Sequence, residues 1–183
     1  TEKPIIALLP GSRKQEIERI LPQMLTVVND FPTHQFVIAA TNSFSKAYYQ
    51  SFIKEKNVGL VFDETYGLLS NATAALVASG TATLETALFN VPQVVCYKTN
   101  WLTYVLAKNL IKIKYLSLVN ILMDKLVVKE LIQSELNQNK LKQELELVLY
   151  KNKNILLAYK KLKELLNKKG ASKNAAKFIT DSI

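Results

Sequence analysis

Through its first hundred residues the chain alternates short apolar runs with helical patterns, at spacings characteristic of a parallel sheet wrapped by helices. Residues 5–9, 35–39, 59–62, 74–77 and 93–97 read as strands, and 15–30, 44–56, 66–71 and 81–89 as the helices that follow the first four. This predicts an α/β fold built on a Rossmann-like, doubly wound parallel sheet, whose ligands lie at the carboxyl ends of the strands. Beyond Trp101 the pattern turns mostly helical, over 102–110, 127–133, 140–149, 155–166 and 172–179. The expected organisation is a sheet domain over 1–135 and carboxyl-terminal helices over 136–183. Those helices would pack on the sheet domain or on an amino-terminal domain outside this sequence.

With 183 residues, 49% of them apolar, there is material for one substantial core. No window reaches the roughly 18 uncharged apolar residues that a membrane-crossing helix needs. Thr1 stands where an initiator Met would, almost directly ahead of a strand, so we expect a piece of a longer protein. Cys96 is the sole cysteine and His34 the sole histidine. A disulfide within the chain is therefore excluded, and cysteine- or histidine-rich metal sites and a Ser-His-Asp triad are disfavoured. Charge is lopsided: residues 1–100 hold 8 Lys+Arg against 8 Asp+Glu, while 101–183 hold 16 against 7. A basic flank suits an anionic membrane surface or phosphorylated lipid, and equally a solvated lysine face. Nucleic acid is disfavoured, because basic motifs interleaved with aromatics are missing.

Two strand-to-helix loops carry the chemistry. In Ala78-Ser79-Gly80-Thr81-Ala82-Thr83-Leu84-Glu85, Ser, Gly and Thr stand at the start of a predicted helix, and Glu85 lies one turn in. Free N–H groups, hydroxyls and a positive helix end suit phosphates, and the acid suits sugar hydroxyls. In Leu9-Pro10-Gly11-Ser12-Arg13, Gly11 permits close backbone approach, Ser12 can cap the helix, and Arg13 offers a fork for phosphate. Glu16 would orient Arg13 or close a capping pair with Ser12. Each loop also reads simply as a helix cap, but both would converge on one crevice of a doubly wound sheet. The G-x-G-x-x-G and Walker lysine patterns are absent, which disfavours a dinucleotide cofactor and P-loop hydrolysis. Asn120, alone among apolar neighbours, is either a bracket for a loop or a ligand contact. Glu130 and Gln133, three apart on a predicted helix, read as surface residues. Cys96, in an apolar strand, reads as a buried and inert thiol.

Together these segments resemble one family. Leu9 to Arg13 with Glu16-Ile17, Ala78 to Glu85 with Pro92, Ser117 to Leu122, and Val128 to Gln133 are similar, in order and spacing, to the carboxyl-terminal half of lipid-A-disaccharide synthase. The resemblance implies a GT-B glycosyltransferase of two Rossmann-like domains, using no metal or cofactor at the sugar-nucleotide site. It implies transfer of 2,3-diacylglucosamine from its UDP conjugate to 2,3-diacylglucosamine 1-phosphate, with release of UDP, during lipid A synthesis in Gram-negative bacteria. The enzyme would be cytoplasmic and peripheral on the inner membrane. By the same resemblance Gly11, Ser12 and Arg13 line the pyrophosphate, Ser79, Gly80, Thr81, Ala82 and Thr83 donate to phosphates, Glu85 accepts from the ribose, and Asn120 lies near the donor. No catalytic residue is implied within this chain; the acceptor site and base belong largely to the amino-terminal domain.

Family members commonly have Leu-Pro-Asn and then Ala-Gly-Arg where this chain has Leu118-Val119-Asn120 and Met123-Asp124-Lys125, and lysine does not reproduce a bidentate arginine. Lys108, Lys112 and Lys114, interleaved with Leu110, Ile111 and Ile113, suit a membrane-surface contact or ordinary helix amphipathicity. Self-association is compatible with the chain, since apolar surface left by an absent domain favours it. The alternatives are another GT-B-type UDP-sugar transferase or epimerase, and a noncatalytic module for membrane or protein interaction.

Overall fold

The computed structural model describes residues 3–54, 57–100 and 114–167. Six parallel strands form one sheet in the order β3-β2-β1-β4-β5-β6: β1 Ile5–Leu9, β2 Gln35–Ala40, β3 Val58–Phe62, β4 Ala72–Ala78, β5 Gln93–Tyr97 and β6 Glu130–Ile132. The first five follow the predicted runs. Their inner members are continuously apolar because both faces are covered, as parallel sheets require. Along β1 the alternation is explicit: Ile6 and Leu8 enter the core on one face, Ala7 and Leu9 on the other.

The first face is covered by α1 (Lys14–Met24) and α2 (Lys46–Ile53). The second is covered by α3 (Thr65–Asn71) and α4 (Thr81–Leu88). The chain therefore leaves β1 toward one face and β4 toward the other, although the two strands are neighbours. Leu9 pairs with Val77, so the loops after β1 and β4 leave the sheet level with each other. That reversal opens a crevice at the carboxyl edge.

Three elements differ from expectation. Helix 15–30 stops at Met24 and continues as a 3-10 helix, Leu25–Asp30. Pro22 inside α1 removes one backbone donor, and the tighter turn that follows still buries Leu25, Val27 and Val28. Residues 127–133 are not helical: β6 adds to β5 with Val95 opposite Glu130, and a 3-10 turn, Gln133–Glu135, follows. The open edge of β5 offered a full ladder to a stretch rich in β-branched and apolar residues. Leu118–Met123, expected only as an apolar segment, forms a short helix, α5, whose N-cap Ser117 accepts from the Asn120 N–H at 3.3 Å.

The remaining helices are α6 (Gln138–Tyr150) and α7 (Lys153–Leu166). The former packs on β4, β5 and the 3-10 segment, the latter on α4 and α5. Helices expected over 102–110 and 172–179 fall outside the described residues.

Candidate functional site

The crevice at the switch point has a volume of about 460 Å³ and is bounded by Gly11, Ser12, Arg13, Ser79, Gly80, Thr81, Ala82 and Glu85, all predicted. Thr41, Asp63 and Thr65, at the ends of β2 and β3, complete its far rim. A larger groove, about 900 Å³, runs from the amino ends of β1 and β2 along β3 and α3, away from the switch point where ligands of open α/β sheets bind. His34 directly precedes β2 and so stands at the amino end of that strand, away from the switch point as well.

Gly11 has φ +98°, a conformation that side chains avoid, and a Cβ there would overlap the Glu16 carboxylate. That close approach lets Glu16 reach back over the loop. Its carboxylate accepts from the Arg13 backbone N–H at 3.4 Å and pairs with the Arg13 guanidinium at 3.3 Å. Glu16 therefore orients Arg13, and the capping pair with Ser12 does not form. The N-cap position is Arg13 itself, so Ser12, exposed, lines the crevice rather than capping α1.

On the other wall, the first turn of α4 begins with a bond from the Thr83 N–H to the Gly80 carbonyl at 3.2 Å. The N–H groups of Thr81 and Ala82 precede it and have no partner within the helix. A Cβ on Gly80 would meet nothing within 4 Å, so the backbone here borders open space. Ser79 is already engaged: its N–H donates to the Cys96 carbonyl at 3.1 Å and its hydroxyl to the Leu116 carbonyl at 3.0 Å. A lone pair on its oxygen remains, but no free donor.

Two expected contacts lie outside the crevice lining. Thr83 is fully buried, and its hydroxyl returns to the Gly80 carbonyl at 2.7 Å, stiffening the turn instead of facing the crevice. Asn120 is also fully buried. Its Nδ2 donates to the Val128 carbonyl (2.9 Å) and Glu130 Oε1 (2.8 Å), and its Oδ1 accepts from the Val127 and Val128 N–H groups (2.8 and 3.0 Å). Every hydrogen-bonding position of the amide is filled by protein, so Asn120 is the loop bracket.

Glu130, expected on a surface, is only 8% exposed and accepts from the Leu116 and Ser117 N–H groups at 3.0 and 2.8 Å. It thereby fixes the peptide whose carbonyl holds Ser79. Gln133 clasps Thr99 through both backbone groups, at 2.8 and 3.2 Å, and ties down the chain beyond β5. The partners of both residues lie across β5 and α5, where helical spacing does not look. Cys96 is fully buried, and burial pushes its thiol far above the usual range, so it is inert.

Side chains lining the crevice include one cation, Arg13, against Glu16, Asp63 and Glu85. Glu16 is paired with Arg13, and Asp63 accepts from Asn42 through both backbone and side chain. Glu85 makes no ion pair among the described residues and is the acid left for a ligand. The arrangement offers an anion the start of α4, Ser12 and Arg13, and offers hydroxyl groups a carboxylate one turn away. Among the described residues no His/Cys/Asp/Glu group could hold a metal ion.

A family model described as lipid-A-disaccharide synthetase matches residues 1–180. The lipid-A-disaccharide synthase of Acinetobacter baylyi is 37% identical over 161 residues, 79% of this chain and 41% of that protein. The one from Psychromonas ingrahamii is 34% identical over 137 residues, 70% of this chain and 36% of its own length. The chain thus spans about two fifths of the curated relatives it matches. Among solved structures, the glycotransferase of kitacinnamycin superposes with TM-score 0.64 at 13% identity, over 98% of this chain and 43% of that one. The spinosyn rhamnosyltransferase SpnG, complexed with thymidine diphosphate, does so with TM-score 0.61 at 13% identity, over 90% and 41%. These likenesses establish the fold.

Proposed function

The chain belongs to the lipid-A-disaccharide synthetase family, and from that premise we propose that its switch-point crevice holds the nucleotide of UDP-2,3-diacylglucosamine. The observation that carries this reading is the convergence of the α4 start, Arg13 and the unpaired Glu85 on one crevice. In the whole protein, a hydroxyl of 2,3-diacylglucosamine 1-phosphate attacks the anomeric carbon of the donor. The bond to the diphosphate breaks, and UDP leaves with the electron pair. Charge grows on the diphosphate as that bond breaks, and the Thr81 and Ala82 N–H groups, with the Arg13 guanidinium, stabilise it. Gly11, Ser12, Ser79 and Gly80 shape the phosphate channel, and Glu85 accepts from the ribose hydroxyls. The base that takes the acceptor proton belongs to the remainder of the protein.

The acylated substrates require a membrane surface. Ile121, Leu122 and Leu126 are exposed large apolar residues close in sequence to Lys125, and to Lys114, whose ammonium pairs with Asp124; this apolar and basic stretch suits an anionic bilayer. Among the described residues no helix is long and apolar enough to cross a membrane.

Titration calorimetry with UDP tests the nucleotide assignment. Glu85→Ala and Arg13→Ala should each weaken binding on the order of ten- to a hundredfold, as expected for losing a charge-assisted hydrogen bond of about 1.5–3 kcal/mol. No heat at millimolar UDP, with circular dichroism showing a folded chain, would overturn it.

A further inference from the structure

We propose that a basic groove on the β5 side of Arg13 is a second anion subsite, which holds the phosphomonoester of the sugar acceptor beside the nucleotide. The groove has a volume of about 610 Å³ and shares Arg13, Glu16, Ala78 and Ser79 with the crevice, so it opens where the phosphate channel ends. Across that shared wall the charge reverses. The crevice is lined by one cation and three carboxylates, whereas the groove is lined by Arg13, Lys14, Arg19 and Lys98 against Glu16 alone.

Two of these cations are already answered: Arg13 pairs with Glu16 at 3.3 Å, and Lys14 with Glu18 at 3.9 Å. Arg19 and Lys98 are half-buried, and neither has a carboxylate within 4.0 Å among the described residues. Their stems pack against the protein while their charges have no carboxylate to answer them, which leaves both available to an anion.

The two come from separate, anchored elements. Arg19 rides on α1, whose Ile17 and Ile20 are buried on the sheet. Lys98 directly follows β5, next to Thr99, which Gln133 clasps through both backbone groups. A guanidinium and an ammonium from two anchored elements lining one groove suit a dianion, and Tyr97 supplies apolar surface for a sugar ring. The nucleotide's own diphosphate is accounted for on the other side, between Arg13 and the start of α4. The assignment rests on the transfer reading, because only a second substrate brings a separate phosphate to this wall.

Calorimetry of the chain with glucosamine 1-phosphate, inorganic phosphate and UDP separates the sources. The sugar phosphate should bind the UDP-saturated chain, and more tightly than inorganic phosphate does. Arg19→Gln and Lys98→Gln should each weaken it tenfold or more while leaving UDP affinity within twofold; Glu85→Ala should do the reverse. Displacement of the sugar phosphate by UDP, equal binding of inorganic phosphate, or affinity indifferent to Arg19 and Lys98 would each overturn the proposal and leave the nucleotide site standing. If UDP itself fails to bind, the donor reading falls. The sugar-phosphate titration without nucleotide then decides the groove: loss of binding in the two variants supports it, and indifference refutes it.

Discussion

Asn120 satisfies two backbone N–H groups, one carbonyl and one carboxylate at once, and Glu130 depends on it in turn. Replacing Asn120 with Ala strands several buried polar groups together, so we expect a stability loss of about 2–4 kcal/mol by urea unfolding. UDP affinity of the folded variant should change little, since Asn120 does not line the crevice. A variant as stable as the parent, or one that stays folded yet loses UDP, would contradict the bracket role. Sequence left Asn120 open between bracket and ligand contact for a physical reason. An amide among apolar residues has the same local pattern whichever partner fills it, and these partners lie seven to ten residues on, around a turn. The opposite held for Gly11, Arg13 and Glu85, whose positions follow from the loop-to-helix junctions that hold them.

At the scale of elements, the 3-10 segment after α1 is joined to α6 through Asp30, which accepts from Gln138 at 3.0 Å and pairs with Lys142 at 3.3 Å. The Gln138 hydrogen bond, then Lys142, holds the Asp30 carboxyl below its ordinary range. A carboxylate whose folded pKa is depressed contributes stability that is present above its unfolded value near 4 and lost as pH falls through the folded one. Asp30→Asn should therefore lower the melting temperature at pH 7, with the gap from the parent closing as pH falls below about 4. A gap that persists at low pH would show that the loss is packing rather than charge. The junction itself was not legible as such, because apolar periodicity runs through Pro22 and reads as one helix over 15–30. β6 was missed for a related reason: residues 127–133 suit either period, and only the vacant edge of β5 selects the strand.

For the whole molecule, the excess of positive charge lies entirely beyond residue 100. Lys108 and Lys112 fall outside the described residues, while Lys114 pairs with Asp124 at 3.0 Å beside the exposed apolar side chains of α5. We expect the chain to bind phosphatidylglycerol vesicles in low salt and release them as salt rises, and we expect Lys108, Lys112 and Lys114 replaced together by Gln to weaken that binding. Sedimentation that is unchanged by the triple replacement would assign the charge to a solvated face. The sequence by itself determined the parallel sheet, its switch-point loops and the family, because these follow from local periodicity and from short motifs whose partners are adjacent in the chain. Only the tertiary structure decided that Thr83 and Asn120 face inward, that Glu130 is buried, and that Arg19 and Lys98 share a groove. Those outcomes depend on which strands become neighbours, and contacts between β1, β4, β5 and β6 join residues that local spacing never brings together.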